Sequence, residues 1–172
     1  GEIADPKEGD LCLDVCGAPG GKSLHVADKL KGTGMVIVRD LTEQKVALIE
    51  DNIVRSGFTN IRAEGRDALV PDLAWEGRAD IVLADLPCSG LGIIGRKPDI
   101  KYRMTMEQME ELAALQREIL SVVQSYVKPG GKLIYSTCTI DRKENEENAA
   151  WFLENYPFDA MNLEGKLGET LN

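Results

Sequence analysis

The stretch CGAPGGKS, residues 16–23, follows the apolar run LCLDV and reads as a ligand-binding loop. It matches the phosphate-loop pattern G-x-x-x-x-G-K-[ST] at Gly21, Lys22 and Ser23, but Cys16 stands where the first glycine belongs. A phosphate loop wraps its backbone N–H groups around the anion. A β-carbon at Cys16 crowds that turn, and Pro19 removes one donor. Asp85, closing the run IVLAD, resembles a Mg²⁺-supporting carboxylate, so a nucleotide triphosphatase stays open as an alternative. A dinucleotide loop would need glycine where Pro19 sits.

Three aspartates, Asp40, Asp67 and Asp85, each close a run that reads as a strand. Taken singly, each is also compatible with a helix cap or a solvated loop. Together they describe a pocket for a ligand with an adenosine and a cationic, carboxylate-bearing tail. Asp40 is placed to accept from both ribose hydroxyls, and Asp67 from an adenine amino group. The backbone N–H groups of residues 17–22 and the following helix N-terminus would take the carboxylate. S-adenosylmethionine meets these terms, whereas a triphosphate would be repelled by the acids.

The four cysteines, Cys12, Cys16, Cys88 and Cys138, show neither a C-x-x-C pair nor zinc spacing, and His25 is the single imidazole. No metal site is expected. Nothing suggests secretion, so a cytoplasmic protein without a disulfide framework is expected. Packing or nucleophilic chemistry remains for the thiols. Cys12 falls inside a strand and reads as packing; His25 reads as a surface residue.

Elements that alternate between strand and helix must position these groups. Strands are expected at 11–15, 35–38, 61–63, 80–84 and 132–137. A helix over 23–30 follows the loop. A second, over 42–56, places Val46, Ile49, Ile53 and Val54 on one face. A third is opened by Thr105 with Gln108 as a capping box and runs to about 127, stopping at Lys128-Pro129-Gly130-Gly131. Asp141 with Glu144 would cap a fourth, to about 155. The fold expected is α/β, one domain over 1–172, a doubly wound and mostly parallel sheet. Ligands of such sheets sit beyond the carboxyl ends of the strands.

The chain of 172 residues carries 43% hydrophobic and 28% charged residues and a net charge of −9. No apolar run is long enough to span a membrane. The acidic balance argues against a general nucleic-acid binder. One stretch runs the other way: GRKPDIKYR holds Arg96, Lys97, Lys101 and Arg103, which alone reads as a solvated loop.

CGAPGGK, DLPCSG and STCT, in that order, resemble the signature motifs of RNA (cytosine-5) methyltransferases, in particular bacterial rRNA enzymes of the RsmB/Sun group. RKPDIKYR resembles the basic segment that follows their PCS motif. The likeness covers residues 11–155. It implies a Rossmann-like methyltransferase sheet and S-adenosylmethionine as cofactor. RNA, with small-subunit (16S-type) rRNA foremost, is the implied substrate. Residues 16–22 (Cys16, Gly17, Ala18, Pro19, Gly20, Gly21 and Lys22) would form the cofactor loop. Asp40, Asp67 and Asp85 would be further cofactor or active-site groups, Cys138 the covalent nucleophile, and Cys88 the cysteine that assists release. Where Gly17 stands the family usually has alanine, a change expected to be mild and to free the backbone.

The resemblance also implies a fragment. The family's closing antiparallel strand and its N-terminal RNA-binding portion would both be missing. The last parallel strand would then be an exposed edge prone to self-association, and this portion alone would bind RNA weakly.

The implied chemistry suits the residue types. C5 of cytosine is a poor nucleophile until a thiolate adds to C6, and cysteine is intrinsically very nucleophilic. A group beside C5, Cys88 or a water, must then remove its proton, while Asp85 hydrogen-bonds the base. The target base has to be unpaired or flipped out. In that setting Arg96, Lys97, Lys101 and Arg103 become expected contacts to the RNA backbone. A cofactor- or RNA-binding module without turnover is the non-enzyme alternative.

Overall fold

The computed structural model describes residues 2–93 and 104–163. Five strands form one sheet: β1 (Leu11–Asp14), β2 (Met35–Asp40), β3 (Ile61–Gly65), β4 (Ala79–Asp85) and β5 (Val127–Ser136). The helices are α1 (Gly21–Lys29), α2 (Glu43–Ser56), α3 (Met106–Val123) and α4 (Asn148–Asn155). All strand pairs are parallel, in the order β3-β2-β1-β4-β5. The chain moves outward from β1 to β3, then crosses to the other side of β1 to lay down β4 and β5. Strand order therefore reverses between β1 and β4, and a crevice opens beyond their carboxyl ends.

Successive strand residues point to opposite faces. On one face Cys12, Val36, Val38, Ile81 and Leu83 pack against Val26 and Ala27 of α1 and Ile49 of α2. On the other, Leu13, Ile37, Val82 and Ala84 pack against Ile119, Leu120 and Val123 of α3 and Phe152 of α4. Burial on both faces explains why LCLDV and DIVLA read as continuous apolar runs. This is the doubly wound α/β architecture expected. No helix of the described residues is long and apolar enough to cross a membrane.

Several local expectations need correction. In α2 Ile49 is buried but Val54 is 80% exposed, because it lies a quarter turn from the face that Val46, Ile49 and Ile53 share. α3 ends at Val123, and a 3₁₀ turn over Gln124–Tyr126 follows. That turn buries Tyr126, whose hydroxyl accepts from the Asp72 N–H at 2.9 Å.

Lys128-Pro129-Gly130-Gly131 does not precede β5 but lies inside it. Ala79 pairs with Val127 and Ile81 with Lys132, so the residues between bulge out of the ladder. Gly130 takes φ +77°, which glycine tolerates, and a β-carbon on Gly131 would meet the Asp80 and Lys128 carbonyl oxygens at 2.9 Å. The capping box at Thr105 and Gln108 forms as expected. Asp141 and Glu144 form none: a π-helical turn over Lys143–Glu147 leads into α4, without a side-chain cap, and Glu144 is fully buried.

β5 is the edge of the sheet among the described residues. A cleft runs along that edge, lined in part by Ile3, Val127, Leu133, Phe152, Phe158 and Met161.

Ile49→Ala should cost about 2–5 kcal/mol in urea unfolding, whereas Val54→Ala should stay within about 0.5 kcal/mol. Equal losses would restore the four-residue face.

Candidate active site

The crevice between β1 and β4 is walled by the loops after β1, β4 and β5. Gly20, in the left-handed region at φ +104°, turns the first loop into α1. That loop is braced from several sides. The Gly17 N–H donates to the Arg39 carbonyl (2.9 Å), the Ala18 N–H to Asp40 Oδ2 (3.1 Å) and the Gly20 N–H to the Gly17 carbonyl (2.6 Å). Asn52 Nδ2 of α2 donates to the Pro19 carbonyl at 2.7 Å. Three of the N–H groups expected to receive a ligand carboxylate are thus engaged. Gly21 and Lys22, opening α1, remain as the anion-facing amides of a helix start. A β-carbon on Gly21 would enter open space.

Gly17 does not serve backbone freedom. A β-carbon there would lie 2.3 Å from Val38 Cγ1 and 2.8 Å from Asp14 Cγ. Alanine at this position needs Val38 to give way, so the exchange is a packing constraint rather than a mild change.

The acids differ in setting. Asp40 is nearly buried; Oδ1 accepts from the Leu41 N–H (2.8 Å) and pairs with Lys45 Nζ (3.0 Å). Its carboxylate ties the loop to β2 and keeps a lone pair for a further donor. Asp67 is half-buried beyond β3, with Oδ1 accepting from the Leu69 N–H at 2.9 Å. Asp85 closes β4, accepts from Ser136 Oγ at 2.8 Å and forms an ion pair with Lys22. Lys22, in the first turn of α1, thereby reaches the carboxyl end of β4. Its ammonium engages a carboxylate.

Asp14, at the carboxyl end of β1, was not singled out from the sequence. A charged residue inside LCLDV, a run buried on both faces, was the available signal. It is 1% exposed and hydrogen-bonded to the Ser23 hydroxyl and, at 3.4 Å, the Cys16 N–H. Burial outweighs those bonds and raises its carboxyl from the ordinary 3.8 to about 6.

Cys88 follows β4 and Cys138 follows β5, fifty residues apart in sequence. Their Sγ atoms lie 2.7 Å apart, both free thiols, and the Cys138 N–H donates to Cys88 Sγ at 3.1 Å. Desolvation first, then the hydrogen bond and charge of Cys88 and the charge of Asp85, push the Cys138 thiol up to about 11. Cys138 is nevertheless the exposed member of the set. Burial raises the Cys12 and Cys16 thiols to about 12. Cys12, fully enclosed in the core, is a packing residue. His25 is half-exposed on the helix surface, 3.2 Å from Glu2. Arg96, Lys97, Lys101 and Arg103 lie outside the described residues, and no metal-binding cluster occurs among those that are described.

Two expectations follow from these protonation states. A carboxyl raised on folding stabilises fully below its unfolded value and loses that contribution as pH climbs through the folded one. Urea unfolding should show the parent losing about 3 kcal/mol relative to Asp14→Asn between pH 4 and 6, with a flat difference above; no change across that window would refute it. At pH 7, iodoacetamide should alkylate Cys138 on the order of 100-fold more slowly than an unperturbed cysteine, with the rate climbing towards pH 11. Peptide mass spectrometry reads the rate, and Cys88→Ala should accelerate it.

The chain is 44% identical over 168 residues to a probable ribosomal RNA small subunit methyltransferase B of Bacillus subtilis, covering 96% of this chain and 38% of that protein. Among solved structures, NSun6 from Pyrococcus horikoshii with SFG is 35% identical at TM-score 0.80, covering 88% of this chain and 38% of that one. A methyltransferase homologue protein from the same organism is 32% identical at TM-score 0.77, covering 90% and 48%. The chain spans less than half the length of each of these relatives. It belongs to the family described as 16S rRNA methyltransferase RsmB/F, whose model matches residues 2–166.

Proposed function

We propose that this chain is the catalytic part of an S-adenosylmethionine-dependent methyltransferase that modifies C5 of a cytosine in small-subunit rRNA. The observation that carries this reading is the pair of thiols, Cys88 and Cys138, brought to 2.7 Å by the loops after β4 and β5 beside the Asp85–Lys22 pair. Family membership supports methyl transfer, and the B. subtilis relative's name supports rRNA.

The donor set fits the cofactor. The opening amides of α1 at Gly21 and Lys22 suit its carboxylate, Asp40 has acceptor capacity for a ribose hydroxyl, and Asp67 stands past β3 for the adenine edge. Asp14, Asp40 and Asp85 around the crevice favour a cation and disfavour a polyphosphate. When bound, S-adenosylmethionine supplies an electrophilic methyl group.

Cys138 is the attacking group. Its Sγ–C6 bond forms as the C5–C6 π electrons move towards C5, making that carbon nucleophilic. With its thiol raised to about 11, Cys138 gives its proton to solvent water as the base arrives and the Sγ–C6 bond forms. Asp85, held by Ser136 and Lys22, accepts from the amino edge of the base. After C5 has gained its methyl group, Cys88 or a water takes the C5 proton. The electron pair re-forms the double bond, the Sγ–C6 bond breaks and Cys138 is released. Arg96, Lys97, Lys101 and Arg103, which follow the Cys88 loop in sequence, are the proposed contacts to the RNA backbone.

Trapping the covalent adduct on the intact protein with its RNA tests this. Cys88→Ala should accumulate a protein–RNA adduct that survives denaturing electrophoresis; Cys138→Ala should form none and lose methylation to background. An adduct persisting in Cys138→Ala would overturn the assignment of the nucleophile. Turnover untouched by either substitution would overturn the mechanism.

A further inference from the structure

Cys88 sits in an irregular loop, and irregular backbone must find its hydrogen-bond partners elsewhere. Both peptide groups that flank it are held by side chains from distant elements. The Pro87 carbonyl accepts from Gln116 Nε2 of α3 at 2.8 Å, and the Ser89 N–H donates to Glu144 Oε2 of the π-helical turn at 3.0 Å. The two holders are bonded to each other, Gln116 Nε2 donating to Glu144 Oε2 at 2.9 Å. Gln116 Oε1 in turn accepts from the Tyr135 hydroxyl (2.8 Å) and Asn148 Nδ2 (2.9 Å). The residue after each cysteine is tied to its counterpart, Ser89 Oγ to Thr139 Oγ1 at 2.7 Å.

Glu144 is costly as a stability device. It and Gln116 are both 0% exposed, no Lys or Arg forms an ion pair with Glu144 among the described residues, and its Oε1 has no hydrogen-bond partner. Burying an acid without a cation destabilises relative to an apolar side chain of the same volume. What Glu144 does achieve is geometric. It places an acceptor under the Ser89 N–H and fixes Gln116 under the Pro87 carbonyl, clamping Cys88 from both sides.

We propose that Glu144, acting with Gln116, is a positioning residue for Cys88: the clamp sets the approach of the Cys88 thiol to the reacting base and so controls the step that removes the C5 proton and frees Cys138. The inference rests on the two-cysteine reading above. It predicts a lesion concentrated at release, because the clamp holds the Pro87 and Ser89 peptide groups directly and reaches Cys138 only through the Ser89–Thr139 and Cys88–Cys138 contacts.

Formation and decay of the protein–RNA adduct are measured separately on the intact protein with S-adenosylmethionine and RNA. Thermal midpoint and cofactor affinity are recorded for each variant. Glu144→Ala and Gln116→Met should slow adduct decay by ~10- to 100-fold, the scale of a misplaced reacting group, while formation changes by less than about threefold. Glu144→Gln keeps an acceptor for the same two donors and should restore decay close to the parent rate.

Formation and decay falling by the same factor, or decay unchanged in a folded Glu144→Ala or Gln116→Met, would overturn the inference. Should Glu144→Ala fail to fold, the near-isosteric Gln116→Met decides alone. Cys88→Ala run alongside separates the two claims. If it accumulates no adduct, the two-cysteine reading is wrong; if it does and the clamp variants do not, only the positioning role is wrong.

Discussion

At the carboxyl ends of β4 and β5, Asp85 stands opposite Ser136 in the parallel ladder and accepts its hydroxyl. That register fixes everything beyond it. Cys88 is three residues past Asp85 and Cys138 two past Ser136, so two short loops of matched length leave the sheet side by side. A shift of one residue in this pairing would turn the side chains to opposite faces and separate the thiols. The bulge at 128–131 lies at the other end of the same ladder, where β5 can absorb an irregularity without disturbing the site.

At neutral pH Cys138 rests as a thiol. Burial raises Asp14, while desolvation and the neighbours Cys88 and Asp85 raise Cys138. A thiolate would otherwise be exposed to oxidants and alkylating agents. Under the proposed mechanism, holding the proton until a base fills the crevice would couple the strength of Cys138 as a nucleophile to the presence of substrate. The Lys22–Asp85 pair joins the start of α1 to the carboxyl end of β4, so the proposed cofactor side and the proposed base side share one electrostatic link.

Behind the cysteines three fully buried polar side chains, Gln116, Glu144 and Asn148, stand together, beside the apolar cores that hold the sheet together. Those cores are apolar, aliphatic on one face and joined by Tyr126 and Phe152 on the other. A buried network of this kind tolerates few geometries, since each unmet partner costs free energy in a low-dielectric interior. It trades stability for a defined position of the irregular loop that carries Cys88.

The sequence by itself determined the parallel α/β class, the five strands in order, and the placement of the loop 16–22, Asp40, Asp67, Asp85, Cys88 and Cys138 after strands. These follow from local rules: apolar periodicity, glycine and proline at turns, and the alternation of strand and helix. The roles of those residues in cofactor and base recognition rested on chemistry and on the resemblance, not on periodicity. Tertiary structure alone decided the rest. Glu144 read as a helix cap because Asp141 precedes it by three residues; its true partners, Ser89 and Gln116, are 55 and 28 residues away. Lys128-Pro129-Gly130-Gly131 read as a stop because only the pairing with Ala79 and Ile81 turns it into a bulge within a strand. Gly17 is dictated by Val38, brought against it from the neighbouring strand. In each case the deciding contact joins elements distant in sequence, and no local window contains both partners.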